Sequence, residues 1–275
     1  MTIRRVAPET LALLDSHGGE RLRYDRGSAP RPFVHPVKLA DGTTVTATEP
    51  DDHFWHRGVW FTFKYVNGVN YWEEREDQPG GVGRQVSLTP PEAEIEGGDA
   101  VVLRHALRWE DDAGPKLIEA RTLRVSERGD VLILDWESAL TPLEDLTLDR
   151  TPFTTWGGYG GLVVRMRQDL TNQRIVFPGG QITNRPTGER HAWGGIEGEA
   201  EGRELAVAFL PHPKNRRYPE PFYGAAREGW NFFGGAPPFH EPLTLQAGET
   251  LLHRARVLIL PRRISETEVN SYGTI

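Results

Sequence analysis

Two histidines three residues apart stand in the stretch Asp51-Asp52-His53-Phe54-Trp55-His56-Arg57-Gly58-Val59-Trp60. On a strand an odd spacing would send the two imidazoles to opposite faces, so they converge only if a loop carries them. Pro50 before the stretch and the apolar run after it place that loop at a strand entrance. Two chemistries suit such a pair. With Asp52 or another carboxylate, His53 and His56 could be two legs of a divalent metal site. Alternatively one imidazole exchanges a proton with a substrate while Arg57, always charged, steadies a developing oxyanion. The metal-free reading is the one adopted, with no cofactor expected and a divalent metal on His53 and His56 as its alternative.

Eight aromatic residues lie between His53 and Trp72, where 26 in the 275-residue chain would place about two. Aromatic faces beside His, Arg and Glu are suited to stacking on a sugar ring, and Trp60 and Trp72 are the candidates, with Trp55 beside them. Glu73 and Glu74 follow Trp72 directly, so a strand there turns one of them inward. Farther on, three prolines stiffen Pro211-His212-Pro213-Lys214-Asn215-Arg216-Arg217-Tyr218-Pro219, a rigid loop at a strand end that makes His212 and Asn215 further candidates. The run Trp156-Gly157-Gly158-Tyr159-Gly160-Gly161 has the glycines of a phosphate loop but no Gly-Lys-Ser/Thr ending, and is read as a bulge or close approach at a strand start.

The elements that must hold these residues are strands. Thirty Gly and 21 Pro are scattered along the chain, and the short segments between them alternate apolar with polar. Strands are expected at 21–25, 32–38, 59–66, 84–88, 100–109, 116–125, 131–140, 162–167, 174–177, 205–210, 242–246 and 250–260. So many strands imply an all-β fold, a large antiparallel β-sandwich, formed as one domain over residues 1–275. One register is anomalous: the face of 116–125 that carries Leu117, Leu123 and Val125 also carries Glu119 and Arg121. Either these two pair as a structural ion bridge, or they line a polar cavity inside the sandwich.

Composition removes other classes. Without cysteine there is no disulfide, thiolate metal site or cysteine nucleophile, and a net charge of −7 with interspersed signs argues against a nucleic-acid partner. No apolar run reaches bilayer length, and the N-terminus lacks a signal-peptide core, so no membrane partner and a cytoplasmic location are expected.

The motifs come in a recognisable order: Phe33-Val34-His35-Pro36, then Asp52-His53-Phe54-Trp55-His56-Arg57-Gly58-Val59-Trp60, then Val66-Asn67-Gly68-Val69-Asn70-Tyr71-Trp72-Glu73-Glu74, then His212-Pro213-Lys214-Asn215-Arg216. From about residue 30 onward this resembles the bacterial "methane oxygenase PmoA"-like family of unknown function. The resemblance implies a place in carbohydrate metabolism and an antiparallel supersandwich similar to galactose-mutarotase-like proteins, whose enzymes pair a histidine acid with a carboxylate base. The expectation is then an enzyme acting on a small sugar or ketosugar derivative by epimerisation, elimination or hydrolysis. In it His53, His56 or His212 moves protons, with Glu74, its neighbour Glu73, or Glu119 as carboxylate partner. Arg57, Arg121, Trp60, Trp72, Asn67 and Asn215 bind the substrate. A metal-dependent oxygenase or hydrolase and a non-catalytic carbohydrate-binding protein are the alternatives.

Overall fold

A computed structural model describes residues 1–26, 29–75, 77, 81–151 and 159–275. Its architecture is two large antiparallel sheets and one small one. The nine-stranded sheet runs, edge to edge, Thr2–Ala7, Thr10–Leu14, Glu20–Asp25, Phe33–Val37, Val59–Phe63, Gly160–Arg165, Trp230–Gly235, Glu220–Arg227 and Thr187–His191. The ten-stranded sheet runs Gln181–Thr183, Thr171–Phe177, Gly194–Ala200, Arg203–Pro211, Leu251–Leu260, Val131–Pro142, Gly114–Arg128, Ala100–Asp111 and Arg84–Ser87, with Glu92–Glu96 also paired to Ala100–Asp111. Four short strands, among them Tyr65–Val66 and Val69–Asn70, make the small sheet. Helix is confined, among the described residues, to Glu266–Tyr272 and a single turn at Pro178–Gly180. No helix there is long and apolar enough to cross a membrane.

The large sheets pack face to face, as alternation predicts. Phe61, Val164 and Phe233 from one sheet share a buried cluster with Leu103, Trp109, Leu134 and Val257 from the other. All twelve expected strands are present, several of them longer than expected. The run 59–66 is divided at Lys64, where the chain leaves the nine-stranded sheet for the small one.

The anomalous register has a definite outcome. Glu119 and Arg121 are fully buried between the sheets, paired through Arg121 Nε to Glu119 Oε1 at 2.8 Å and Nη2 to Oε2 at 2.9 Å. Trp109 Nε1 and Ser138 Oγ donate to the same carboxylate at 2.8 and 2.6 Å, and Arg121 Nη2 donates to Gln85 Oε1 at 3.0 Å. A buried carboxylate with four donors and a guanidinium stacked 4.9 Å over Trp136 form a satisfied polar knot in an apolar core. Beside it His105 bonds the Tyr24 hydroxyl at 2.7 Å and Ser87 Oγ at 3.0 Å, and burial pushes its pKa down to about 3.

Candidate functional site

Alternation gives the nine-stranded sheet a second apolar face. Phe61 and Phe233 point into the sandwich, so Trp60 and Phe232 point away from it, where they gather with Phe33, Trp72 and Val163 in a separate buried cluster. Cross-strand pairing lines these residues up: Phe33 opposite Trp60, Trp60 opposite Val163, Val163 opposite Gly234, and Gly234 opposite Tyr223. The neighbouring row sets Arg165 opposite Phe232. Glycine at 234 keeps that floor low, since a Cβ there would lie 2.4 Å from the Leu162 carbonyl oxygen.

Above this floor residues 50–58 fold into consecutive tight turns, with His53 N–H donating to the Pro50 carbonyl at 3.0 Å and His56 N–H to the His53 carbonyl at 2.8 Å. The turns stack the two imidazoles, 4.8 Å between centroids and 24° between planes. Gly58 returns the chain to the sheet with φ of +60°, and a Cβ there would lie 2.2 Å from the Val34 carbonyl oxygen, so only glycine fits. The result is a pocket of about 280 Å³ in which His53, His56 and Glu73 are the titratable side chains other than the tyrosines. Its walls are aromatic: Trp55, Trp72, Tyr159, Tyr223, Trp230 and Phe232.

The hydrogen bonds assign each imidazole a role. Asp52 Oδ2 lies 2.8 Å from His53 Nδ1, and a carboxylate acceptor requires N–H at Nδ1, which leaves the Nε2 lone pair of the neutral ring available. His56 Nδ1 lies 3.4 Å from Arg165 Nη1, a group that can only donate, so His56 accepts there and carries its proton on Nε2. Burial, reinforced by the Arg165 charge, holds the His56 pKa well below its ordinary value, and the ring is neutral. Arg165, itself fully buried, also binds Asp52 Oδ1 and Oδ2 at 2.8 and 2.9 Å and the Gly229 carbonyl at 2.9 Å. Against partial burial, which raises it, the His53 hydrogen bond and the Arg165 charge bring the Asp52 pKa below its ordinary value.

Glu73 comes in from the opposite side. Its carboxylate accepts from Lys64 Nζ, from Asn70 Nδ2 at 2.6 Å and from Tyr159 Oη at 3.3 Å. Asn70 Oδ1 in turn receives the backbone N–H groups of Trp72 and Glu73 at 2.8 and 3.1 Å, which fixes the direction of the acidic pair. Burial lowers the Lys64 pKa against the attraction of Glu73, and burial with the Glu73 charge raises that of Tyr159 well above its ordinary value. The indole N–H groups of Trp55 and Trp230, both on the pocket wall, have no acceptor among the described residues.

Of the residues singled out from sequence, His53, Trp55, His56, Trp72 and Glu73 line this pocket. Trp60 lies wholly buried beneath it, 5.1 Å from the His56 ring. Glu74, the neighbour of the pocket carboxylate, faces the other way and makes a two-point ion pair with Arg57 at 2.8 and 2.5 Å, with Arg31 at 3.4 Å. Arg57 is thereby spent on Glu74 and Glu49, and Arg31 braces the wall by donating to the Trp55 and Trp72 carbonyls at 2.7 and 2.9 Å. Asn67 sits at the tip of a hairpin with φ of +48° and donates to Glu144 and the Asp145 carbonyl. Glu119 and Arg121 stay in the sandwich core. His212 accepts from the Lys214 N–H at 3.0 Å in its loop, and buried Asn215 ties Glu220 Oε1 at 2.8 Å to the Arg254 carbonyl at 2.7 Å. His253 is 3.0 Å from the same Glu220 oxygen, an ion-pair contact without hydrogen-bond alignment.

Among the described residues no three His, Asp or Glu side chains converge as metal ligands. Both Asp52 oxygens are engaged by Arg165, and that guanidinium faces His56, a cation where a metal ion would need a free ligand. Trp156, Gly157 and Gly158 lie outside the described residues. Gly160 and Gly161, with φ of +137° and +132°, do make a close approach at a strand start: a Cβ on Gly161 would lie 3.0 Å from the Gly235 carbonyl oxygen. Sequence reasoning missed Tyr159, Tyr223, Trp230, Phe232 and Arg165. The signal for two of them, Trp230 and Phe232, was present in Trp230-Asn231-Phe232-Phe233 following Glu228-Gly229, an aromatic strand after a turn.

The pattern of a family of unknown function matches residues 13–273. The chain belongs to the DUF6807 family. This corrects the expected "methane oxygenase PmoA"-like membership. The short motifs behind that expectation include residues fixed by local geometry, such as the Asn67 turn and the Gly58 approach, whereas the DUF6807 match spans nearly the whole chain. No curated protein matches this DUF6807 chain. Among solved structures, the galactosidase domain of the alpha-galactosidase-sucrose kinase AgaSK is similar at 10% identity with a TM-score of 0.50, over 94% of this chain and 42% of that one. A galactose mutarotase related enzyme from Lactobacillus acidophilus is similar at 6% identity and a TM-score of 0.41, over 96% and 99% of the two chains. The GH36 alpha-galactosidase AgaA from Geobacillus stearothermophilus is similar at 15% identity and 0.39, over 82% of this chain and 29% of that one. The AgaSK likeness establishes that this DUF6807 protein shares the supersandwich fold, and the fold alone.

Proposed function

We propose that the aromatic pocket binds one sugar ring and that the protein performs proton-transfer chemistry on it, with His53 as the proton acceptor and donor. The observation that carries this reading is the meeting of six aromatic side chains with two imidazoles and one carboxylate in about 280 Å³. Apolar ring faces stack on a sugar's C–H faces, while a few fixed polar groups read its hydroxyls. The Asp52 carboxylate orients His53 so that Nε2 takes the proton, and Asp52, paired with Arg165, stabilises the imidazolium that forms. His56, neutral and protonated on Nε2, is suited to donate a hydrogen bond to a substrate oxygen. Glu73, anchored by Lys64, Asn70 and Tyr159, is placed to accept from a hydroxyl or to serve as the second proton-transfer group. Carbohydrate is also the chemistry named for the AgaSK domain, which shares the fold.

The test is a screen of aldoses, ketoses and their simple glycosides by tryptophan fluorescence, followed by proton NMR in deuterated water with each sugar that binds. Trp72→Ala should abolish binding, and His53→Gln should keep binding while lowering turnover or solvent-deuterium exchange by about a hundredfold or more. Full turnover by His53→Gln would sink the catalytic role. Binding without turnover by the wild type would make the protein a sugar-binding module instead.

A further inference from the structure

A second cavity of about 560 Å³ adjoins the first, and Tyr223 and Trp230 stand as walls of both. Its other side chains include Asn184, Arg185 and Arg227, and among the described residues its lining contains no carboxylate, whereas the first pocket contains Glu73. Arg227 closes the hairpin of Glu220–Arg227 and Trp230–Gly235, directly opposite Trp230, and its guanidinium carbon lies 4.4 Å over the Trp230 ring. Stacking occupies the flat face of a guanidinium and leaves its in-plane N–H donors pointing outward in the fork that suits carboxylate, sulfate or phosphate. Arg227 is exposed and forms no ion pair among the described residues; adjacent Glu228 lines a different cavity. Arg185 and Arg227 both line this cavity, and both their charges oppose the effect of burial on the Tyr223 phenol.

We propose that this second cavity is a subsite for an anionic group on the sugar unit next to the one held in the first pocket, so that the natural ligand is an acidic di- or oligosaccharide. The inference rests on the reading of the first pocket as a sugar site. A ligand reaching from one cavity to the other passes Tyr223, stacked on Tyr159 at 5.4 Å and 22°, and Trp230, the side chains that line both, so the crossing itself is aromatic. The acidic substituent then meets Arg227 and Arg185 in the cavity whose lining does not include Glu73.

The experiment is calorimetric titration with galactose, galactobiose, galactobiose 6-sulfate, galactobiose 6-phosphate and digalacturonate. At least one acidic disaccharide should bind the wild type about tenfold more tightly than galactobiose at low salt, an advantage that shrinks between about 50 and 300 mM salt. Arg227→Ala should erase the advantage without altering galactose binding, and Arg227→Lys should restore part of it. The anion that shows the largest loss identifies the substituent as carboxylate, sulfate or phosphate. Equal binding of acidic and neutral disaccharides by the wild type, or an acid preference that survives Arg227→Ala, overturns the proposal. Failure of the first-pocket reading looks different: galactose binding untouched by Trp72→Ala. If none of the five binds the wild type, this proposal is overturned, while the first-pocket reading stands or falls with the wider sugar screen.

Discussion

Replacing Glu119 by Gln keeps its shape and removes its charge, and the structure says what that costs. The carboxylate accepts from Arg121 Nε and Nη2, Trp109 Nε1 and Ser138 Oγ at 2.6 to 2.9 Å, with both members of the ion pair fully buried. In Glu119→Gln an amide N–H₂ meets donors, and the guanidinium of Arg121 remains in the core with no opposite charge. Removing one partner of such a pair costs about 3–5 kcal/mol. That is a large part of the roughly 5–15 kcal/mol by which a folded protein is usually stable. Urea unfolding followed by tryptophan fluorescence would read it as a lower midpoint. Arg121→Met should destabilise for the mirror-image reason, and Glu119→Gln combined with Arg121→Met should cost less than the sum of the two single changes by about 2 kcal/mol or more, because it strands no charge. Folded Glu119→Gln should still bind whatever sugar the wild type binds. A loss below about 1 kcal/mol, or additive single changes, would refute the assignment of this pair to the core. Impaired sugar binding at unchanged stability would restore it to a ligand cavity.

Acid should destabilise the fold through its buried imidazoles. The pKa values of His105 and His35, lowered by burial to about 3 and about 4, lie below the 6.5 of a free imidazole, so the unfolded chain binds more protons than the folded one between those values. Their contribution is whole above pH 6.5 and erodes as pH falls, by at most about 1.4 kcal/mol per pH unit for each residue. His105→Gln should remove one proton from the slope of stability against pH, measured by urea midpoints from pH 7 to 4, and an unchanged slope would count against a neutral His105. Gly58→Ala places a Cβ against the Val34 carbonyl at positive φ, and should cost about 2 kcal/mol or more together with ligand binding in the first pocket. A crystal structure with an undisturbed 50–58 loop would contradict that.

The strands of the sandwich were legible because alternation survives wherever one face is wet. Ala100–Asp111 and Gly114–Arg128 carry that pattern, and even the charges at 119 and 121 were read as inward. The hairpin of Glu220–Arg227 and Trp230–Gly235 was not, since both its faces are buried or aromatic and its glycines erase the contrast between them. With it went Tyr223, Trp230 and Phe232. At the His loop the residue types were informative and their convergence was foreseen, but the buried Arg165 that fixes the His56 tautomer comes from a strand over a hundred residues away. The choice between Glu73 and Glu74 turns on Asn70, whose side chain orients the backbone after it and decides which carboxylate enters the pocket.

Two apolar clusters lie back to back on the nine-stranded sheet, one inside the sandwich and one under the pocket, and they draw on alternate residues of the same strands. Phe61 and Phe233 belong to the first, Trp60 and Phe232 to the second. Successive positions along one strand therefore answer to different demands, one for the sandwich core and one for the shape of the pocket. Changes at Tyr223, Trp230 and Arg227 would reshape the cavity walls while Phe222 and Phe233 hold the core, so on the proposed reading recognition can be altered without leaving the scaffold. A library randomised at those three outward positions should yield mostly folded proteins.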